Sequence, residues 1–228
     1  MRFTRFVVLA SAVVAVGACT SPSTGGSPAA STSSVGSAPA SAQPSPSDPT
    51  IPAAAMLQLE DLGKDAARLD ADADRVSFLR PPRPCGGGGP SDALRLAAAR
   101  QHYAVSDPAL TSGRTPAAGL FELVMTFRPG GAAAYRAELL AEVRRCPRSA
   151  DGTRIWAVGS DADVVQLTLE QTVTYADEKV QQTLPVFVST VDDTVVVLSD
   201  LGYETSNGDP QLLAKIMDKA LSRAAANT

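Results

Sequence analysis

From Val165 to Tyr175 the chain repeats with a period of two: Val165, Leu167, Leu169, Val173 and Tyr175 alternate with Gln166, Thr168, Glu170, Thr172 and Thr174. A strand of this kind has one apolar and one wet face, as in an antiparallel sheet with a solvated side. The segment ADEK then reads as a turn, TLPVFVSTV as the next strand, and Asp192-Asp193 as a tight turn into TVVVLSDLG. Pro185 has no N–H for a ladder and argues for an edge or a bulge. The uninterrupted run from Val195 to Leu198 suits a central strand. Upstream, GLFELVMTFRP (119 to 129) is an aliphatic strand ended by Pro129-Gly130, and AARQHYAV, around His102, also reads as strand.

The period lengthens in GAAAYRAELLAEVRRCP, where Ala132, Tyr135, Leu139, Val143 and Cys146 recur at helical spacing and Arg136, Glu142 and Arg144 fall between them. Pro147 stops this helix. A second helix opens on Asp209 as N-cap and Pro210 as first helical residue, with the stripe Leu212, Leu213, Ile216, Met217, Ala220 and Ala224. A short opening helix is expected in AAAMLQLEDLG, ended by Gly63. These elements predict an α+β fold: an antiparallel sheet of about five or six strands with helices packed on one face.

Ahead of the periodic part the pattern disappears. Residues 20 to 50 are almost entirely Ser, Pro, Ala, Gly and Thr, with Asp48 as the only charge. Such a stretch buries too little apolar surface to offset its ordering entropy and reads as a disordered tether with a reach of about 30 Å. Before it stand a basic start (Arg2, Arg5), the apolar run FVVLASAVVAV, and small residues ahead of Cys19, the parts of an export signal. The form VGAC resembles the lipobox of bacterial lipoproteins. That resemblance implies a diacylglyceryl group on Cys19, cleavage just before it, and acylation of the new amino terminus. Acyl chains contribute roughly 0.8 kcal/mol per buried methylene, and two or more give lasting attachment. An ordinary secreted protein cut nearby is the alternative. The expected organisation is therefore signal peptide 1–18, lipidated Cys19 and tether 19–52, and one extracytoplasmic domain over 53–228. The location that follows is the outer face of the cytoplasmic membrane, with the protein anchored rather than spanning.

Charge and cysteine content refine this. Loss of the signal removes two of the 20 basic residues, Arg2 and Arg5, and none of the 24 acidic ones, so the mature chain is acidic. No Lys/Arg-rich block is present, which argues against nucleic acid as a partner. With Cys19 carrying lipid, the three cysteines reduce to one pair, Cys85 and Cys146, expected to form a disulfide in an oxidising compartment. Closing a loop of about 60 residues is worth roughly 4 kcal/mol in the chain-entropy model. Two thiols or a metal pair are the alternative, but partners at ligand spacing are lacking.

The order of a cysteine, a strand with a phenylalanine (ELVMTF), an alanine-rich helix ending in a cysteine (AAAYRAELLAEVRRC), a tryptophan (RIWAV) and an aliphatic strand resembles the extracellular sensor domain of the mycobacterial receptor serine/threonine kinase PknH. That domain also occurs in stand-alone actinobacterial lipoproteins, and the resemblance covers roughly residues 54 to 225. It implies a ligand-sensing or binding module with a groove and no catalytic activity. The family has two disulfides where this chain can close one.

Other chemistry finds little footing. His102 is the sole histidine, so a nucleophile–histidine site would have to be built on it. LDADADR places Asp70, Asp72 and Asp74 as in a calcium loop, but Arg75 stands where glycine is needed and Pro81 where glutamate is needed, so a solvated acidic turn is expected. CGGGGPSD lacks the Lys-Ser/Thr ending of a phosphate loop and reads as a hinge beside the disulfide. RPPRP reads as a stiff lead-in to Cys85, with a polyproline docking ligand as the alternative, and Trp156 as a core residue. The functional expectation is a non-catalytic sensor-like or ligand-binding lipoprotein without cofactor or metal, its partner a small molecule or an envelope protein. A carrier of an apolar lipid or metabolite and a carboxylate-dependent envelope hydrolase are the alternatives.

Overall fold

A computed structural model describes residues 50–69, 81–113, 118–149, 152–159, 164–175, 177–202 and 205–228. The signal, Cys19, the tether up to residue 49 and the Asp70–Asp74 motif lie outside these described residues.

Among the described residues, seven strands form one antiparallel sheet: β1 (Ala67–Leu69), β2 (Arg95–Val105), β3 (Ala118–Phe127), β4 (Arg154–Val158), β5 (Val165–Tyr175), β6 (Glu178–Val191) and β7 (Thr194–Asp200). Their spatial order is β1-β2-β3-β7-β6-β5-β4. The count exceeds the expected five or six because of the two edges, β1 and β4. Both are short, and all three residues of β1 are exposed, so neither carries the alternation that marks a half-buried strand.

β7 occupies the middle of the sheet and all seven of its residues are buried, as its apolar run predicts. β6 is interior, yet its ladder with β7 begins only at Val186. Pro185 therefore sits where β6 is paired on one side alone, opposite Thr168 of β5, so its missing N–H is tolerated as it would be on an edge strand. Its carbonyl accepts a bond from Ser199 Oγ at 2.9 Å.

Among the described residues, three α-helices accompany the sheet: the single turn α1 (Pro108–Thr111), α2 (Gly131–Arg145) and α3 (Pro210–Asn227). α3 starts as its sequence predicts, Asp209 accepting the Gln211 N–H at 2.9 Å with Pro210 behind it. The predicted stripe of six residues is buried. The opening helix is not formed. AAAMLQLEDLG instead makes two 3-10 turns, Ala53–Ala55 and Leu59–Leu62, separated by extended backbone at Gln58. An α-helix there would keep the Leu57 N–H for itself, whereas this N–H reaches across 65 residues to the Glu122 carboxyl.

The helices do not share one face. α3 packs with Met56, Leu57 and Leu62 over Tyr103, Leu120, Val124, Phe187, Val196 and Leu198. α2 packs over Phe121, Leu123, Met125, Phe127, Val188, Val195 and Val197. These sets alternate along β3 and β7, so they occupy opposite sides of the sheet. The one-faced expectation is corrected to a helix, sheet, helix sandwich, because the central strands are apolar on both sides and each side needs cover.

α2 is placed by its first turn. Gly130 has φ +81°, a left-handed conformation that glycine adopts at little cost, and its N–H donates to Asp193 Oδ1 at 2.7 Å. The β6–β7 hairpin tip thereby holds the turn from β3 into α2.

Candidate functional site

A cleft of about 810 Å³ lies on the α2 side of the sheet. Its floor includes Phe121 of β3, Val197 of β7, Leu184 and Val186 of β6, Leu169 of β5 and Trp156 of β4. Strand alternation brings these six residues to one face. Tyr135 of α2 meets Phe127, with ring centroids 6.0 Å apart, at the opposite end of β3 from Phe121. One wall is the segment Pro81–Gly87, and the other includes Ser149 and Arg154.

The first wall is anchored by chemistry on α2. Glu138, Glu142 and Cys146 follow one another at i, i+4 and i+8, a single stripe of the helix and its C-cap. Arg83 and Cys85 belong to one tight turn, closed by the Gly86 N–H to the Arg83 carbonyl at 2.9 Å, which sets their side chains about one helical pitch, roughly 5.4 Å, apart. The segment therefore docks along the stripe in register. Cys85 bonds Cys146 in a disulfide with Cα atoms 5.1 Å apart and a sequence separation of 61, as expected from the cysteine count. The Cys85 N–H donates to Glu142 Oε2 at 3.3 Å.

The Arg83 side chain, 8% exposed, lies 3.0 Å from Glu138, 3.2 Å from Glu142 and 3.2 Å from Asp92. It also donates to Ser91 Oγ at 3.0 Å and sits 4.7 Å above the Tyr135 ring. Burial works against its charge, but Asp92, the Tyr135 phenol and Glu138 more than offset this and hold the guanidinium above its usual pKa. Burial likewise opposes the charge of Asp92, and the Gly89 N–H and Arg83 overcome it, so that carboxyl lies below the usual range. Tyr135 donates to the Pro82 carbonyl at 3.2 Å, and burial pushes its phenol upward.

Within the part of RPPRP that is described, Pro81–Pro84, Arg83 is a bolt onto α2 rather than part of a docking ligand. Glu142, expected on the polar side of its helix, is buried to receive it. The carboxylate spacing ahead of Cys146, set against the Arg-x-Cys spacing, is the signal that could have revealed this. Trp156, expected in the core, is half-buried: it packs against the α2-side core and lines the cleft. Its strand is the last of the sheet, flanked beyond by a single bridge, Arg148 to Ile155, with the Trp156 N–H on the Pro147 carbonyl at 2.8 Å, so the ring is less covered than a core residue.

Among the described residues, three guanidinium groups line the cleft. Arg83 is held by three carboxylates and Arg95 by Asp92 at 3.2 Å. Arg154 is exposed, and no carboxylate pairs with it among the described residues. Asp92 is the cleft's carboxylate among the described lining residues.

His102 lies on β2 opposite Phe121. Burial lowers its pKa, and its Nε2 has no hydrogen-bond partner among the described residues. No group of three potential metal ligands is found among them, and no described helix is long and apolar enough to cross a membrane.

The most displaced carboxyl lies on the other face, away from the cleft. Glu122 is fully buried under α3, and burial pushes its pKa up to about 7, against hydrogen bonds from the Leu57 N–H and the Tyr103 hydroxyl. Tyr103 Oη is 2.7 Å from the Leu57 carbonyl oxygen and 3.0 Å from Glu122 Oε2. A phenol has one proton and a carbonyl none, so both contacts are hydrogen bonds only when the carboxyl supplies the second proton. Neutral Glu122 satisfies the whole cluster, whereas the ionised form leaves the phenol one proton for two acceptors. This triad ties the opening segment to β2 and β3.

Comparisons with protein-family models, with curated proteins and with solved structures give no match.

Proposed function

We propose that this chain is a lipid-anchored extracytoplasmic lipoprotein whose folded part is a non-catalytic, sensor-like or ligand-binding module, with the cleft on the α2 side as its binding site. The observation that carries this reading is the cleft itself. Its volume of about 810 Å³ falls in the range of small-molecule sites, roughly 300–1,000 Å³, and it combines an apolar floor with a few polar groups at the walls. The disulfide and the Arg83 cluster hold one wall in place before any ligand arrives, which lowers the ordering cost of binding.

The hydrolase alternative requires two facing carboxylates. Among the described lining residues the cleft supplies Asp92, and Arg83 and Arg95 are bonded to it. The carrier alternative draws support from the apolar floor and differs from the sensor reading only in what binding is for. The anchor rests on the sequence around Cys19, outside the described residues.

Two measurements test the proposal. Native mass spectrometry of the protein purified from its own host is expected to show a co-purifying small molecule that Leu184→Trp, which fills the cleft, displaces. A clean apo mass, with no ligand found by thermal-shift screening of a metabolite and lipid set, would remove the binding reading. For the anchor, Cys19→Ala is expected to abolish the acyl mass increment and release the protein from the membrane fraction.

A further inference from the structure

The cleft is graded in polarity, and the sheet register shows how. On the α2-side face, Arg154 of β4 stands opposite Gln171 of β5, which stands opposite Gln182 of β6. The two glutamines bond to each other at 2.9 Å. One step along the sheet the row becomes Trp156, Leu169 and Leu184, and the next includes Leu167 and Val186 with Ser199 and Phe121 beyond. A polar row that begins with a cation thus gives way within one pleat to apolar rows. Arg154 is the lining guanidinium with no carboxylate partner among the described residues, while Arg83 and Arg95 already serve Asp92.

Resting on the reading of this cleft as a binding site, the geometry points to a ligand class: a single-chain amphiphile with an anionic head, carboxylate or phosphate. Its head meets the Arg154 guanidinium, and its chain runs over Trp156, Leu169 and Leu184 toward Val186. A guanidinium matches both head groups through paired N–H donors. The polar side chain in the apolar rows, Ser199, already gives its proton to the Pro185 carbonyl, so an anionic head is served at Arg154 and the chain lies in that direction. A wholly apolar ligand would leave Arg154 unused, and a small hydrophilic anion would make no use of the apolar rows.

Trp156 is the only tryptophan of the chain and lines this cleft, so its fluorescence reports occupancy directly. The test titrates the wild-type protein and Arg154→Gln with dodecanoate, dodecyl phosphate and dodecanol, all kept below their aggregation concentrations. Both anions are expected to give a saturable change in Trp156 emission with affinity at least about tenfold above that of dodecanol. Arg154→Gln is expected to bring the anions down to the dodecanol level and leave dodecanol unchanged. Because Arg154 is exposed, the variant should keep the wild-type melting temperature. Preference for one head group over the other distinguishes carboxylate from phosphate sources. Equal binding of acid and alcohol, or no effect of Arg154→Gln, would overturn the anionic class while leaving the cleft as an apolar site. No saturable change with any of the three would bring down the binding site itself.

Discussion

Leu120, Val124, Val196 and Leu198 alternate along the same two strands with Phe121, Val197 and Ser199, yet the two sets meet different fates. The first is covered by α3 and by the turns around Met56, Leu57 and Leu62, which leave the face filled. The second is covered by α2, but only part of the way, and the segment Pro81–Gly87 stands as a wall beside the remainder. On the first face, cover is an apolar stripe laid over an apolar surface. On the second, a disulfide and an ion cluster hold the cover at the side and leave a cleft. Burial thus fills one face and shapes the other, and the difference lies in the covering segments more than in the strands.

The sharpest way to break this contrast is to shorten matched leucines on the two faces. Leu213→Ala on the buried stripe of α3 removes a side chain packed all round and is expected to cost about 4 kcal/mol in denaturant unfolding. Its counterpart, Leu184→Ala, is also fully buried but lines the cleft, so the space it vacates opens into the cleft rather than closing as a void, and it should cost about 2 kcal/mol, the smallest effect in this series. Equal costs would mean that the two faces are equally filled.

Between these extremes lies the staple. The double substitution Cys85→Ala with Cys146→Ala is expected to cost about 3 kcal/mol, and limited proteolysis should then cut the wall near Pro81–Gly87 before any site on the α3 side. If the first cut fell elsewhere, the wall would owe its position to the Arg83 cluster alone.

A comparable effect, with a distinctive pH dependence, belongs to Glu122 on the filled face. The carboxyl ionises near 4.5 when unfolded and near 7 when folded. Between these values the folded state holds the additional proton, so stability falls as pH rises. The contribution, roughly 3 kcal/mol, is fully present below about pH 4.5 and lost above about pH 7. Glu122→Gln keeps the donor and acceptor of the neutral acid. It should match the wild type at pH 4.5 and exceed it at pH 8 by about 2 to 3 kcal/mol. Measuring the difference between the two proteins at each pH cancels the opposite, acid-side contributions of Asp92 and of Asp61, where burial is outweighed by Arg223 and the Gln58 N–H and the carboxyl is held below the usual range. An unchanged difference from pH 4.5 to 8 would show that Glu122 does not carry a displaced proton.

Much of the filled face was legible in the chain. The α3 cap and stripe, the β6–β7 turn and the central place of β7 follow from residues adjacent in sequence, because capping, turn chemistry and periodicity are local. The cleft was less legible. Cys85 and Cys146 could be paired by count, but Arg83 looked like a linker residue and Glu142 like a solvated one. Neither property is local: each exists only when the Pro-rich segment is laid along α2. Trp156 was read as core because tryptophan usually is, and only the edge position of β4 leaves its ring beside a cleft.

The sequence by itself determined the α+β composition, the antiparallel sheet of central apolar strands and the pairing of the two fold cysteines. The anchor proposed at Cys19 rests on the sequence alone and lies outside the described residues. The tertiary structure decided that the helices lie on opposite faces and that the first turns forgo an α-helix to reach Glu122. It also decided that a stapled wall stands beside apolar rows rather than over them. Hydrophobic period shows that a face must be covered, but the partner that covers it is chosen by side chains far apart in the chain, and whether a cleft remains depends on that choice.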